Sequence, residues 1–182
     1  SPTKKGVLGT LELNKRIQAV INPKDSSKNE ISVNFYTLRE GDKVMQNKNN
    51  YNINWTKENG EYGEGIFNGD IGVLTQVNKS SHFVKVRFDD RIAMYDMDSI
   101  SDLELAYACT VHKSQGNEFE AVVMPMHNFA PQLMYRNLLY TAVTRAKKML
   151  ILVGDPNAVT RMVSNNKRIL RFSGLKDFLQ NE

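Results

Sequence analysis

The 182-residue sequence holds one cysteine, one tryptophan and three histidines. A lone Cys109 cannot close an internal disulfide, so a reducing cytoplasm is the expected compartment. No apolar run approaches the ~20 residues a membrane-crossing helix needs, and the opening SPTKKGVLGT lacks the apolar stretch of a secretory signal. No membrane partner is expected. The histidines have no His or Cys neighbours at ligand spacing, so no metal site is expected either. No GxxxxGK followed by Ser or Thr occurs: Lys113-Ser114 lacks the preceding glycine of a P-loop, and the chain by itself should not hold a nucleoside triphosphate. Internal repeats and low-complexity tracts are also missing.

What is present is an ordinary globular composition, 41% hydrophobic and 24% charged. A net charge of +4 leans toward polyanionic partners without identifying one.

Along the chain, TLELNKRIQAVINP sets Leu13, Ile17, Val20 and Ile21 at helical spacing, with Thr10 as a candidate N-cap and Pro23 beyond the end. ISVNFYTLREGDKVMQ offers short β-like runs with a turn at Gly41-Asp42. Residues 47–65, rich in Asn, Gly, Tyr and Glu, read as a polar loop. Three alternating runs then form a meander: GVLTQV, HFVKVRFD and IAMYDM. Val84, Val86 and Phe88 should face its core, leaving Phe83, Lys85 and Arg87 outside. A barrel this small is marginal alone and reads as an insertion covered by a larger neighbour.

From Leu103 the rhythm becomes α/β. A strand should run to Cys109 and another through AVVMPM, followed by a helix around YRNLLYTAVTRAKK and the strand MLILVG. Asp155-Pro156 should cap and open a further helix, and Ser173 a short terminal one in SGLKDFLQ.

Two polar stretches sit on this scaffold. TVHKSQGNEFE begins where a buried strand should end, which is where open α/β sheets bind ligands. Gly116 would let backbone N–H groups approach a phosphate, and His112, Lys113, Ser114 and Gln115 can donate to phosphate or sugar oxygens. Glu118 repels phosphate but can accept from a ribose hydroxyl. A solvated turn that caps the next element is the alternative reading. In the second stretch, NLLYTAVTRAKKMLILVGD, the residues Leu138, Leu139, Ala142, Val143 and Ala146 would form an apolar arc. Arg145 would stand at its edge, with Thr141 one turn earlier, as an anion-seeking guanidinium or an ordinary snorkelling arginine.

Together the ordered strings GDKVMQNKNNY, FNGDIGV, LAYACTVHKSQGNEFEAVVMP and LLYTAVTRAKKMLILVGD closely resemble the C-terminal part of RecD-like superfamily 1 ATP-dependent DNA helicases, including exodeoxyribonuclease V alpha-subunit-like proteins. The last two strings match the family's helicase motifs V and VI. The resemblance implies an α/β, RecA-like second lobe without a P-loop, carrying a small all-β SH3-like insertion. Residues 1–64 and 103–182 would form the lobe, and 65–102 the insertion. It implies that Thr110, His112, Ser114 and Gln115 serve single-stranded DNA, that Gly116 and Glu118 lie toward the nucleotide, and that Arg145 is the arginine finger. On the residues themselves, Phe83, Lys85 and Arg87 of the meander would either extend the DNA path or form a solvated barrel face, the latter being the favoured reading. ATP and Mg²⁺ are implied for the full-length protein, held with a first RecA-like lobe whose phosphate-gripping motifs this sequence does not contain. The expectation is a fragment, inactive alone, of a helicase acting in DNA recombination and repair. A non-catalytic single-stranded nucleic-acid-binding module on an SH3-like barrel is the rival reading.

Overall fold

The computed structural model describes residues 1–166. The terminal helix expected at Ser173 lies outside them. The described residues have a mixed α/β architecture: a seven-stranded antiparallel sheet, a two-stranded parallel sheet, one separate hairpin and three α-helices.

The hairpin pairs β1 (Glu30–Val33) with β2 (Tyr36–Arg39), and the chain then turns through Gly41-Asp42 as its sequence predicts. The large sheet draws on β3 (Lys43–Gln46), β4 (Asn50–Lys57), β5 (Tyr62–Ile66), β6 (Ile71–Asn78), β7 (Phe83–Phe88), β8 (Arg91–Asp96) and β9 (Leu103–Leu105). Their spatial order is β5-β4-β8-β7-β6-β3-β9. The expected meander is β6–β7–β8, and Val84, Val86 and Phe88 are buried as their alternation requires. They join Leu74, Tyr95 and Leu105 in one continuous core.

Residues 47–65 are largely strand rather than loop. Asn and Gly disfavour strands locally, but β4 pairs antiparallel with both β5 and β8 and buries Ile53 in the common core. Tertiary pairing overrides local propensity here.

The helix α1 (Thr10–Ile21) forms where expected, capped by Gly9 rather than Thr10, but it is rolled over. Thr10, Asn14, Gln18 and Asn22, spaced four apart, are the buried stripe, whereas Val20 is 78% exposed and Ile21 67%. Directional bonds account for this. The Asn14 amide donates to the carbonyls of Leu105 and Ala108, both at 2.9 Å, and its oxygen accepts from Ala108 N at 2.7 Å. The Gln18 amide donates to Thr37 O at 2.8 Å and to Asp42 Oδ2 at 2.5 Å. Buried amides that find such partners outweigh a weakly apolar opposite face.

The parallel pair is β10 (Phe119–Met126) and β11 (Ala146–Gly154), joined by a crossover that contains α2 (Arg136–Val143). Beyond β11 comes α3 (Pro156–Ser164), whose N-cap Asp155 accepts from Asn157 N at 2.8 Å, the cap that Asp-Pro predicts. Met124, Met126, Leu138, Leu139, Ala142, Ala158 and Met162 form a second core between these strands and helices. The alternate strand positions Val123, Met149, Ile151 and Val153 are exposed. Parallel strands ordinarily have both faces covered. A cavity of about 550 Å³ adjoins this sheet, lined by Leu13 and Ile17 of α1, Val122 and Pro125 of β10, Ala142 and Arg145. No helix among the described residues is long and apolar enough to cross a membrane.

Candidate functional site

The strand expected to run to Cys109 stops at Leu105. Ala106 N still donates to Lys43 O at 2.8 Å, and beyond it side chains hold the chain: Asn14 grips Ala108 on both its N–H and its carbonyl, and the Tyr107 hydroxyl donates to Asp42 Oδ1 at 2.9 Å. This anchored approach delivers Thr110. Burial pushes the Cys109 thiol above its ordinary value, which disfavours the thiolate.

From Thr110 the chain winds into consecutive turns. Thr110 O accepts from Ser114 N at 3.0 Å, and Thr110 Oγ1 accepts from Lys113 N at 3.2 Å. His112 O accepts from Gln115 N at 3.3 Å, and Ser114 O from Asn117 N at 3.1 Å. Ser114 is buried and its hydroxyl donates to Val111 O at 2.7 Å. The Lys113 ammonium pairs with Glu104, which also binds Lys4 at 3.0 Å. His112, Gln115, Gly116 and Glu118 are the exposed members. Gly116 has φ +87° and open space where a Cβ would stand, so backbone conformation rather than crowding demands glycine there.

Arg145 lies in the turn between α2 and β11, because α2 ends at Val143. The main chain welds it to the 110–118 loop, since Phe119 N donates to Arg145 O at 2.8 Å. Among the described residues its guanidinium touches only neutral oxygens: Nε donates to Thr141 O at 3.3 Å, Nη1 to Asn117 O at 3.2 Å and Nη2 to Thr144 Oγ1 at 3.3 Å. Among the described residues no carboxylate pairs with it, and the nearby Glu118 is taken by Lys147, so the full positive charge stays available to an incoming anion. The Glu118–Lys147 pair spans 3.3 Å, both partners being half exposed.

Thus the structure gathers Thr110, His112, Ser114, Gln115, Gly116, Glu118 and Arg145 into one region. Lys85 and Arg87 lie apart from it on β7, where Lys85 Nζ sits 5.6 Å from the Phe83 ring centroid. Among the described residues no three His, Cys, Asp or Glu side chains gather as a metal site requires. Composition gave no reason to single out Asn117, Tyr107 or Asp42. The four-residue spacing of Asn14, Gln18 and Asn22 was the one sequence signal for the polar anchor.

Residues 13–88 match the family model described as the ATP-dependent RecD-like DNA helicase SH3 domain, and residues 105–153 match the UvrD-like helicase C-terminal domain. The chain is 32% identical over 158 residues to the ATP-dependent RecD2 DNA helicase of Deinococcus radiodurans, covering 87% of this chain and 20% of that protein. It is 34% identical over 122 residues to the RecBCD enzyme subunit RecD of Mycobacterium tuberculosis, covering 66% of this chain and 20% of that protein. The chain therefore spans about a fifth of the length of these relatives. A crystal structure of Pif1 helicase from Bacteroides in complex with ADP-AlF3 and ssDNA is similar with a TM-score of 0.48 and 17% identity, over 92% of this chain and 42% of that one. On the two domain matches and these relatives, the chain belongs to the RecD-like helicase family and carries matches to both its SH3 domain and the UvrD-like helicase C-terminal domain.

Proposed function

We propose that this chain forms the second motor lobe of an ATP-dependent DNA helicase, which couples ATP hydrolysis to movement on single-stranded DNA and to unwinding. The observation that carries the proposal is Arg145, welded to the 110–118 loop and free of any carboxylate partner among the described residues. Phosphoryl transfer spreads charge over equatorial oxygens, and an arginine delivered from a second domain accelerates it by ~10³ to 10⁵. Arg145 is the arginine finger in this reading. The exposed Gly116 and Glu118 face the nucleotide. His112 and Gln115 face the DNA strand, with Thr110 and Ser114 shaping the turn that presents them. A first RecA-like lobe of the same protein supplies the phosphate grip and the Mg²⁺ ligands. The ATP-dependent DNA helicase named among the relatives supports the assignment.

In the full-length protein, Arg145→Ala should abolish DNA-stimulated ATP hydrolysis while single-strand affinity stays within a few-fold. Hydrolysis at a near wild-type rate would remove the finger assignment.

A second reading, a non-catalytic nucleic-acid-binding module, is favoured by the Lys85–Phe83 contact, which pairs a cation with a stacking surface on the outer face of β7. Tight oligonucleotide binding that survives loss of His112 but not of Lys85 and Arg87 would support it.

A further inference from the structure

The large sheet and Arg145 are joined by a short chain of contacts. At its sheet end, Tyr95 is buried and its hydroxyl donates to Gln46 Oε1 at 2.9 Å. Gln46, also fully buried, clamps the turn before β6 from both sides: its carbonyl accepts from Gly69 N and its N–H donates to Asp70 O, each at 2.9 Å. Gly69 has φ +97° and lies against the 110–118 loop. A Cβ added there would meet Asn117 Nδ2 at 3.8 Å and Lys113 O at 3.9 Å. The Asn117 side-chain amide donates to Gly69 O at 3.5 Å, and the Asn117 carbonyl accepts from Arg145 Nη1 at 3.2 Å.

We propose that Asn117 is a positioning residue that ties Arg145 to the 67–70 turn of the large sheet, so that the state of the sheet sets the placement of the guanidinium. The side chain and the main chain of Asn117 point to different structural units, so one residue registers both. Gln46 makes the turn a rigid reference, because a fully buried amide with its oxygen and both backbone groups engaged resists displacement. Arg145 has no carboxylate partner among the described residues to fix it otherwise, and its remaining bonds are to Thr141 and Thr144 at the end of α2. The consequence for hydrolysis rests on the motor-lobe reading, whereas the tie itself does not.

Hydrogen exchange tests the tie without any activity measurement. Tyr95→Phe removes the hydroxyl that steadies Gln46 and should speed exchange of the Gly69 amide and of the Phe119 amide, whose hydrogen sits on Arg145 O. In an Asn117→Ala background, Tyr95→Phe should still speed Gly69 but leave Phe119 unchanged. Asn117→Asp keeps the shape, loses the amide donor and should behave as Asn117→Ala. The proposal is overturned if Gly69 does not respond, if Phe119 responds equally in both backgrounds, or if Asn117→Asp behaves as wild type. In the full-length protein, Asn117→Ala should reduce single-strand stimulation of ATP hydrolysis roughly five- to tenfold, the lower part of the usual range for coupled sites. If Arg145→Ala leaves stimulation intact, the finger assignment fails while the exchange result stands. If Arg145→Ala abolishes stimulation and Asn117→Ala does not lower it, the positioning role fails alone.

Discussion

The Tyr107 hydroxyl donates to Asp42 Oδ1 at 2.9 Å, across 65 residues of sequence. Asp42 is fully buried, and three further donors reach it: Asn22 Nδ2 at 2.7 Å, Gln18 Nε2 at 2.5 Å and Arg39 N at 2.7 Å. One carboxylate thereby holds α1, the β2–β3 turn and the approach to the 110–118 loop. Asp42→Ala should cost more than about 3 kcal/mol, because it leaves several buried donors without this acceptor at about 1–3 kcal/mol each. Tyr107→Phe should cost about 1.5–3 kcal/mol, the worth of a hydrogen bond to a charged group. Urea unfolding of each variant measures both, and an Asp42→Ala loss no larger than that of Tyr107→Phe would contradict the hub.

The same burial sets an alkaline limit. Desolvation, followed by the charge of Glu104, pushes the Tyr36 hydroxyl up to about 12. Desolvation, followed by the hydrogen bond to Asp42, pushes Tyr107 up to about 12 as well. Both folded values lie above the ordinary 10, so the unfolded chain releases these protons first. Their contribution to stability is complete below pH 10 and is lost as pH rises toward 12. Unfolding free energies measured at stepped alkaline pH, read alongside tyrosinate absorbance, should fall over that window, and less steeply in Tyr107→Phe.

Exposed Val123, Met149, Ile151 and Val153 on the parallel pair form an apolar surface of the kind that drives association. Ile151→Lys with Val153→Lys should lower self-association of the chain in light scattering while shifting its thermal midpoint little. Unchanged scattering would mean that this surface is not the adhesive one.

If Lys85 and Arg87 bind single-strand phosphates, changing both to Ala should flatten the salt dependence of binding. Every phosphate that goes unneutralised should reduce the slope of log affinity against log salt by about 0.7. An unaltered slope would separate β7 from the nucleic-acid path.

The parts legible in the sequence are those in which local chemistry suffices. Strict alternation marked β6 to β8, and Asp155-Pro156 marked the start of α3. The 110–118 loop stood out as polar residues placed between apolar runs. The rest depended on partners distant in sequence. Asn50, Asn52 and Asn54 masked the alternating strand formers Tyr51, Ile53 and Trp55 of β4, which pairs with β5 and β8 on either side. The roll of α1 was hidden because Asn14 satisfies carbonyls more than 90 residues away. Asn117 drew no attention beside His112 and Gly116, since its amide partner at Gly69 lies 48 residues earlier.

The rolled helix has a consequence for the order in which the molecule is assembled. The angle of α1 against the large sheet is set by bonds that demand direction, from Asn14, Gln18 and Asn22, and none of them involves β10 or β11. The helix and the sheet can therefore reach their final register before β10 comes to lie beside Leu13 and Ile17, the α1 residues that line the cavity next to it. The apolar side is left as a greased seat whose occupant can slide, repack or arrive late without disturbing what the amides have already fixed.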